Sequence, residues 1–327
     1  MPRDNLEAKL KEVCQAVNNE VRMPNIAMKA GIGAIEVAVS VHRRPITTYF
    51  DQAKLASDSI KKDATRSIAF YNESMRQSIA DRIFILDNLD RAIREGHIKV
   101  YYQPVMRAMT GKLCGCEALA RWIDPQKGLL PPDSFIPVLE EAHLIHKLDT
   151  YILRAVAKIM RRILDEQMPP FPISVNLSRL DFLLQDPFSV AETIREEYRL
   201  PLGLIQIEVT ENALVDKMNS VLNGIQKFQQ KGYPVLLDDF GSGYSSLNVL
   251  KDYDFDTIKF DMKFLHPFTE KSRKILKALV SMAKDLSVHT LAEGAETKEQ
   301  CDFLRKIGCE KIQGYYYGKP VPFDDFQ

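Results

Sequence analysis

The sequence contains little cysteine, a single tryptophan and no excess of charge of either sign. Its 327 residues include 5 cysteines, 44 basic side chains and 44 acidic side chains. Five cysteines scattered along a long chain do not suit a disulfide framework, so we expect free thiols in a reducing compartment. The formal net charge of +0 argues against a protein that binds nucleic-acid polymers, because such proteins carry a basic excess.

Long hydrophobic runs are also missing. No apolar stretch approaches the roughly 20 residues that a membrane-spanning helix needs, and no signal-peptide pattern opens the sequence. We therefore expect no membrane contact from this chain and a cytoplasmic location, either alone or as the cytosolic part of a larger sensor. A content of 45% hydrophobic and 27% charged residues is typical of a globular protein with a large core.

The first 96 residues predict a small α+β segment followed by a connecting helix. The predicted elements are a helix over 5–21, a strand region over 27–39, a helix capped by Thr47 or Thr48 that ends near Lys62, a short strand over 67–71 and an amphipathic helix over 73–96. We assign residues 1–72 to the segment and 73–96 to the connector. So small a segment cannot cover both faces of its sheet, so we expect it to pack on a neighbour or on a second chain.

From Ile98 onward, short apolar strands alternate with amphipathic helices. The predicted strands cover 98–105, 113–122, 171–177, 204–209, 234–237, 257–261, 288–293 and 311–317. The helical stretches between them include 148–168, 216–231, 272–286 and 298–307. This alternation predicts an α/β fold, a (β/α)₈ TIM-like barrel over residues 97–327, with an open doubly wound sheet as the alternative. The first two strands follow each other directly, which allows one strand to run antiparallel to the rest.

Charged and hydrogen-bonding residues lie where most of these strands end. They are Glu117, Arg121, Asn176, Glu208, Glu211, Asp238, Asp239, Lys259, Asp261, Glu293, Glu296 and Gln313. In a barrel the carboxyl ends of the strands meet on one face, and such folds carry their chemistry there. One acidic strand end means little, but polar residues at most of the strand ends indicate a shared site.

The stretch 235–261 lies at the centre of this pattern. It begins with a buried strand that ends in two adjacent acids, Asp238 and Asp239. A buried carboxylate without a partner is costly. A divalent cation beside a phosphate-bearing ligand would compensate that charge.

Oxygen donors dominate the candidate ligands, which are Glu117, Asn176, Glu208 and Asp238. Carboxylate and amide oxygens without histidine or cysteine select Mg²⁺ or Mn²⁺ over zinc. Asp239 beside Asp238 would allow one carboxylate to bridge two ions. Two ions a few ångströms apart can clamp both oxygens of an in-line displacement at phosphorus.

Two further strand-end residues suit such chemistry. Lys259 could hold an attacking water or stabilise charge on a phosphoryl group, and Glu293 could accept a proton or hold a metal-bound water. Each residue alone also has a structural interpretation. Lys259 could be an ion-pair partner of Asp239. Asn176 could be a turn residue, and Glu211 could cap the following helix. The joint pattern favours the chemical interpretation.

Several motifs occur in order with suitable spacing. They are Glu117-Ala118-Leu119, Asn176-Leu177-Ser178, Glu208-Val209-Thr210-Glu211, Asp238-Asp239-Phe240-Gly241-Ser242-Gly243, Lys259 in TIKFD, Ala292-Glu293-Gly294 and Gln313-Gly314-Tyr315. Together they resemble the EAL domain, the cyclic di-GMP phosphodiesterase family. The resemblance covers the chain from about Ile98 to its end.

This resemblance implies metal-dependent hydrolysis of cyclic di-GMP to linear pGpG, by in-line attack of a metal-activated water in a homodimer with two Mg²⁺ or Mn²⁺ ions. The implied ligands of the first ion are Glu117, Asn176, Glu208 and Asp238. Asp238 and Asp239 would serve the second ion. The implied catalytic residues are Lys259, Glu293, Asp239 and Glu211, of which Glu211 anchors the loop after Asp239. The implied substrate-binding residues are Gln103, Leu119, Arg121, Asp261, Glu296, Gln313 and Pro320.

The sequence departs from the family pattern at two places. Met262 and Lys263 stand where Arg and Ser are common, and the stretch between Lys259 and Glu293 is slightly short. These departures concern substrate affinity or loop behaviour rather than the implied ligands. A non-catalytic cyclic di-GMP receptor is the alternative function. A Mg²⁺ barrel enzyme of the enolase type would explain the acids but not the order of the motifs.

The N-terminal segment has a looser resemblance. It rests on Gly31-Ile32-Gly33, the predicted helix over 53–62 and the strand Ala69-Phe70-Tyr71. These features resemble the C-terminal half of a GGDEF domain, the family that makes cyclic di-GMP. The Gly-Gly-Asp/Glu-Glu-Phe signature of that family is absent, so we predict no cyclase activity.

Overall fold

The computed structural model describes residues 3–20, 32–34, 45–61, 66–214, 219–241, 250–251 and 253–326. The chain divides into two compact units, Met1–Asp87 and Asn88–Gln327. Within the described ranges, no helix combines the length and the apolarity that crossing a membrane would require.

The first unit contains two parallel strands with helices beside them. Its elements are α1 (Arg3–Glu20), β1 (Ile32–Ala34), α2 (Ile46–Ser59), β2 (Ile68–Phe70) and the first part of α3 (Glu73–Arg94). Helix α2 packs directly on β1, because a Cβ on Gly33 would lie 1.7 Å from the carbonyl oxygen of Ala53. Only a glycine permits this close approach.

The predicted elements of the first unit are present where the chain is described, with two corrections. Helix α2 follows Pro45 and has no side-chain cap, so the predicted cap at Thr47 or Thr48 is wrong; both threonines lie in the first helical turn. That helix ends at Ser59, and Lys62 lies outside the described residues. The predicted strand region over 27–39 is described only at Ile32–Ala34, and the remainder lies outside the described residues.

The second unit is a closed eight-stranded barrel. The barrel strands are β3 (Ile98–Arg107), β4 (Leu113–Asp124), β6 (Ile173–Asn176), β7 (Ile205–Thr210), β8 (Val235–Phe240), β9 (Thr257–Phe260), β10 (His289–Ala292) and β11 (Lys311–Gln313). Two short strands, β5 (Gly128–Leu130) and β12 (Val321–Pro322), pair at the margins with β4 and β3. The ring closes because β3 pairs with both β4 and β11. The predicted barrel is confirmed, and the open sheet is wrong.

Strand β3 is the one that runs against the barrel direction. It is antiparallel to both of its neighbours in the ring, whereas the other barrel strands pair in parallel. As a result, Gln103 of β3 lies directly opposite Glu117 of β4. The antiparallel strand therefore contributes a side chain from its middle to the face that the other strands reach with their carboxyl ends.

Helices cover the outside of the barrel. They are α4 (Pro132–Glu141), α5 (Ile145–Asp165), α6 (Arg179–Leu184), α7 (Pro187–Glu197), α8 (Glu211–Leu214), α9 (Asn219–Lys231), α10 (Glu270–Asp285) and α11 (Lys298–Ile307). Helix α5 buries an apolar face with 3.6-residue periodicity, including Leu148, Ile152 and Val156. The parallel strands are apolar on both faces because side chains fill the barrel inside and helices cover it outside.

The last barrel strand is shorter than predicted. Strand β11 ends at Gln313, and Gly314 begins a turn instead of continuing the strand to Tyr317. A Cβ on Gly314 would lie 2.1 Å from the carbonyl oxygen of Ala295, so only a glycine fits against the loop after β10. This close packing leaves Gln313 as the last strand residue, at the carboxyl-end face of the barrel.

Candidate active site

The side chain of Lys259 lies at the centre of the carboxyl-end face. Its Nζ is 2.6 Å from an oxygen of Glu208, 2.8 Å from Glu293, 3.1 Å from Asp238 and 3.3 Å from Glu117. Lys259 is fully buried. These contacts also show that the ion-pair partners of Lys259 are those four carboxylates, so the interpretation of Lys259 as the partner of Asp239 is wrong.

Strand register brings these groups together. Each of the five side chains comes from a different strand, namely β4, β7, β8, β9 or the loop after β10. In the parallel pairs, Asn176 lies opposite Glu208 and Thr210 lies opposite Asp238. Consecutive strands therefore end at similar heights, and short acidic or amide side chains converge above the barrel core.

The cluster contains four carboxylates and one ammonium group. Burial alone would lower the pKa of Lys259, but the surrounding carboxylates outweigh burial and raise this pKa well above its usual range. Burial and the charge of Glu117 raise the pKa of Glu208 well above its usual range. Burial also raises the pKa of Glu293, to about 8. Four carboxyl groups share the single positive charge of Lys259, and two of them, Glu208 and Glu293, therefore retain a proton to higher pH than usual.

The surroundings of Glu117 favour its ionised form. Burial would raise its pKa, but Lys259 and the hydrogen bonds from Gln313 and Asn176 together lower it. The Gln313 amide donates to Glu117 over 2.6 Å, and the Asn176 amide donates over 2.9 Å. Both oxygens of Glu117 are therefore fixed by neighbouring strand ends.

Two groups of carboxylates have the spacing of cation sites. Oxygens of Glu117, Glu208 and Asp238 lie within 4.8 Å of one another, and so do oxygens of Asp238, Asp239 and Glu293. Asp238 belongs to both groups, as a bridging ligand would. All donors are oxygens, which fits Mg²⁺ or Mn²⁺. The excess of carboxylates over ammonium supplies the charge that divalent cations would neutralise.

Asp239 and Glu211 shape the turn after β8. Asp239 has a φ of 55°, and its backbone N–H donates to Asp238 over 2.8 Å. Burial, and then the charges of Asp238 and Asp261, raise the pKa of Asp239. Glu211 is fully buried and accepts a hydrogen bond of 3.1 Å from the backbone N–H of Gly241. This hydrogen bond links Glu211 to the residues that follow Asp239.

A cavity of about 230 Å³ opens beside the cluster. Its lining residues are Gln103, Glu117, Leu119, Met262, Glu293, Gly294, Glu296, Gln313, Gly314 and Tyr315. Four of the predicted substrate-binding residues are in this set, namely Gln103, Leu119, Glu296 and Gln313. The Gln313 amide also donates to Gln103 over 3.1 Å. The side-chain oxygen of Gln313 is buried and has no hydrogen-bond partner, which makes it an acceptor for a ligand.

The other three predicted substrate-binding residues do not line this cavity. Arg121 shares a strand face with Glu117 and Leu119, and its guanidinium lies 5.7 Å from the ring centre of Tyr101. Asp261 caps the short helix at Met262–Phe264 and pairs with Lys263 over 3.0 Å. Pro320 precedes β12 and is half-buried. Their roles stay predictions.

Four cavity residues were not among the predicted site residues, namely Met262, Gly294, Gly314 and Tyr315. Met262 and Gly294 follow strand ends, and Tyr315 follows Gln313-Gly314. Met262 stood out in the sequence only as a departure from the family pattern. The available signal for a binding role was its position three residues after Lys259. An apolar side chain at that position is equally expected in the hydrophobic core of the barrel.

Residues 86–320 match the family described as the EAL domain. This match spans most of the chain, and the chain belongs to the EAL domain family.

Similar proteins include named phosphodiesterases. The chain is 30% identical over 307 residues to the cyclic di-GMP phosphodiesterase PdeR of Escherichia coli, covering 90% of this chain and 46% of that protein. It is 33% identical over 267 residues to the bifunctional diguanylate cyclase/cyclic di-GMP phosphodiesterase MucR of Pseudomonas aeruginosa, covering 80% and 38%. The chain spans less than half the length of these curated relatives.

Solved structures share the fold. A structure described as the PaMucR phosphodiesterase in complex with c-di-GMP has a TM-score of 0.70 and 32% sequence identity, covering 74% of this chain and 99% of that chain. The EAL enzyme Bd1971, bound to cAMP and cyclic di-GMP, has a TM-score of 0.71 and 28% identity, covering 76% and 69%.

Proposed function

We propose that this chain hydrolyses one phosphodiester bond of cyclic di-GMP to give linear pGpG, with two divalent cations, Mg²⁺ or Mn²⁺. The observation that carries the proposal is the presence of two carboxylate clusters that share Asp238 beside the buried Lys259. Family membership supports it, as do the phosphodiesterase functions named for PdeR and MucR and the c-di-GMP complex of a similar structure.

The two cations would bind at the strand ends. We assign Glu117, Asn176, Glu208 and Asp238 to the first ion, and Asp238 and Asp239 to the second. When bound, such ions polarise the phosphodiester and lower the pKa of water. The chain's own contribution is to hold the carboxylates at the observed spacing and to favour the ionised form of Glu117 with a buried lysine.

Lys259 and Glu293 are the residues that we assign to the attacking water. Water adds to phosphorus, the bond from phosphorus to the 3′ oxygen breaks, and that oxygen takes up a proton. Glu293 has an oxygen 2.8 Å from Lys259 Nζ, so a water near both can be oriented by the ammonium and can give its proton to the carboxylate. Lys259 also offers positive charge to the phosphoryl oxygens in the transition state.

The cavity beside the cluster would receive part of the dinucleotide. We assign contacts with it to Gln103, Leu119, Arg121, Asp261, Glu296, Gln313 and Pro320. Gln313 joins the two halves of the site, because its amide holds Glu117 while its unpartnered oxygen remains available to a donor on the substrate. We also propose that the chain forms a homodimer in the cytoplasm, and sedimentation of the purified chain tests the dimer.

The direct test follows cyclic di-GMP by chromatography with Mg²⁺, Mn²⁺ or EDTA. We expect pGpG only with metal. Glu117→Gln removes one ionised ligand at nearly constant size and should lower turnover at least about 100-fold, since even neighbours of metal ligands cost 10–100-fold. Glu270→Gln is the matched control, because Glu270 lies exposed on α10 and pairs with Lys274. Intact cyclic di-GMP in every tube would sink the proposal, and tight binding without turnover would favour a receptor.

A further inference from the structure

Apolar side chains line one part of the cavity beside Lys259. Leu119, Met262 and Tyr315 belong to its lining, and Met262 and Tyr315 are 48% and 56% exposed. Its other walls are polar, with Gln103, Glu296 and Gln313. Large apolar groups exposed beside a polar site indicate contact with a ligand that has both an apolar face and polar edges.

The backbone of Met262 is closely held. Asp261 accepts a hydrogen bond of 2.8 Å from the N–H of Lys263, which closes a turn around Met262. On the other side, a Cβ on Gly294 would lie 2.4 Å from the Cβ of Met262. The Gly294 carbonyl is in turn 2.9 Å from the imidazole of His266. The backbone of Met262 is therefore held on both sides, while its side chain lines the cavity.

Met262 is also tied to the residues assigned to chemistry. It follows Lys259 by three residues, and the glycine against which it packs directly follows Glu293. A group that rests on Met262 thus has a defined place relative to the attacking water. A thioether is polarisable and makes favourable contacts with aromatic rings, whereas the arginine common at this position in the family pattern would add a charge.

We propose that Met262 contacts a purine base of the substrate through its thioether and thereby determines substrate affinity without taking part in the chemical step. This inference rests on the proposed function. The base would lie against Met262 and Tyr315, with its polar edge towards Gln313 or Glu296. Such a contact exists in the ground state and in the transition state alike, so its loss changes KM and leaves kcat in place.

The test compares Met262→Ala and Met262→Leu with the native chain. We expect Met262→Ala to raise KM for cyclic di-GMP about 3- to 10-fold with kcat within about 2-fold, as a sulfur–aromatic contact of this strength implies. Met262→Leu keeps the apolar volume but lacks the sulfur, so it should recover only part of the affinity. The control is Met109→Ala, because Met109 is 71% exposed and does not line the cavity. The dissociation constant for cyclic di-GMP measured in EDTA reports binding in the absence of hydrolysis.

The outcomes separate this inference from the proposed function. A KM and a dissociation constant for Met262→Ala that match the native values would overturn the role of Met262, and so would a loss of kcat at unchanged KM. A native chain that binds cyclic di-GMP without hydrolysing it would overturn the proposed function, and the dissociation constants would still decide the role of Met262. A native chain that does not bind it would overturn both.

Discussion

The ammonium group of Lys259 lies 2.6 Å from a carboxylate oxygen of Glu208, and both side chains are 1% exposed. Removing two charges from water is expensive, and close pairing offsets that cost only when the geometry is good. Three further carboxylates surround the same ammonium. Lys259 therefore stabilises an acidic cluster that would otherwise oppose folding, in addition to the role that we propose for it in chemistry.

Replacing the lysine should destabilise the barrel as well as inactivate it. We expect Lys259→Met to lower the free energy of unfolding by about 3–5 kcal/mol, because it leaves buried carboxylates uncompensated. Mg²⁺ should recover part of this loss by neutralising the same carboxylates. Urea unfolding with and without Mg²⁺ measures both effects. Lys277→Met, on the exposed face of α10, is the control; equal stability of the two variants would contradict the prediction.

Gly294 should tolerate no side chain. Gly294 and Gly111 have φ values of 71° and 64°, so alanine at either position is strained by about 1–2 kcal/mol. A Cβ on Gly294 would also collide with Met262, whereas nothing lies within 4 Å of one on Gly111. Gly294→Ala should therefore lose more stability than Gly111→Ala. Of the two variants, only Gly294→Ala should raise KM for cyclic di-GMP. Thermal unfolding and steady-state kinetics of both variants measure these two quantities. Equal losses of stability and equal KM values would rule out the collision with Met262.

The anchor of the turn after β8 can be tested at Glu211. We expect Glu211→Ala to reduce turnover and to lower the unfolding free energy by about 1–3 kcal/mol, because Gly241 loses its acceptor and a buried side chain is deleted. Glu211→Gln keeps a carbonyl oxygen and should retain more activity. Turnover and urea unfolding of the two variants provide the comparison. Full activity of Glu211→Ala would show that the Asp238–Asp239 turn needs no anchor.

A buried acid away from the cluster should make stability depend on pH. Burial, and then the neighbouring Asp181, raise the pKa of Asp149 well above its usual range. The folded chain therefore keeps this proton to higher pH than the unfolded chain, and stability falls as pH rises from about 4 towards the folded pKa. Asp149→Asn cannot lose the proton, so its unfolding free energy should fall less with pH.

Urea unfolding at several pH values from 5 to 8 measures this slope. Asp181 lies beside Asp149, and the charges of Glu140 and His146 act on these two acids. All three residues are unchanged in the variant. The difference in slope between Asp149→Asn and the native chain therefore belongs to the interacting acids Asp149 and Asp181. Identical slopes would show that Asp149 is ionised in both the folded and the unfolded chain.

The sequence by itself determined the barrel and the kinds of residues at its carboxyl-end face. Apolar strand segments alternate with amphipathic helices, and both patterns follow from which side chains must avoid water. Helix α11 matches its prediction at both ends because local signals bound it: Thr297 provides a capping box, and Gly308 takes a φ of 80°. The motifs also selected most of the residues that converge around Lys259 and its cavity.

Only the tertiary structure decided which of those residues touch. Lys259 and Glu117 are separated by 142 positions in the chain and meet because the ring closes. The antiparallel direction of β3 places Gln103 opposite Glu117, and the packing of Gly314 on Ala295 ends β11 at Gln313. Met262 lines the cavity because Gly294 lets its backbone approach. Such contacts depend on strand register and interatomic distance across the fold, which local periodicity and propensity do not encode.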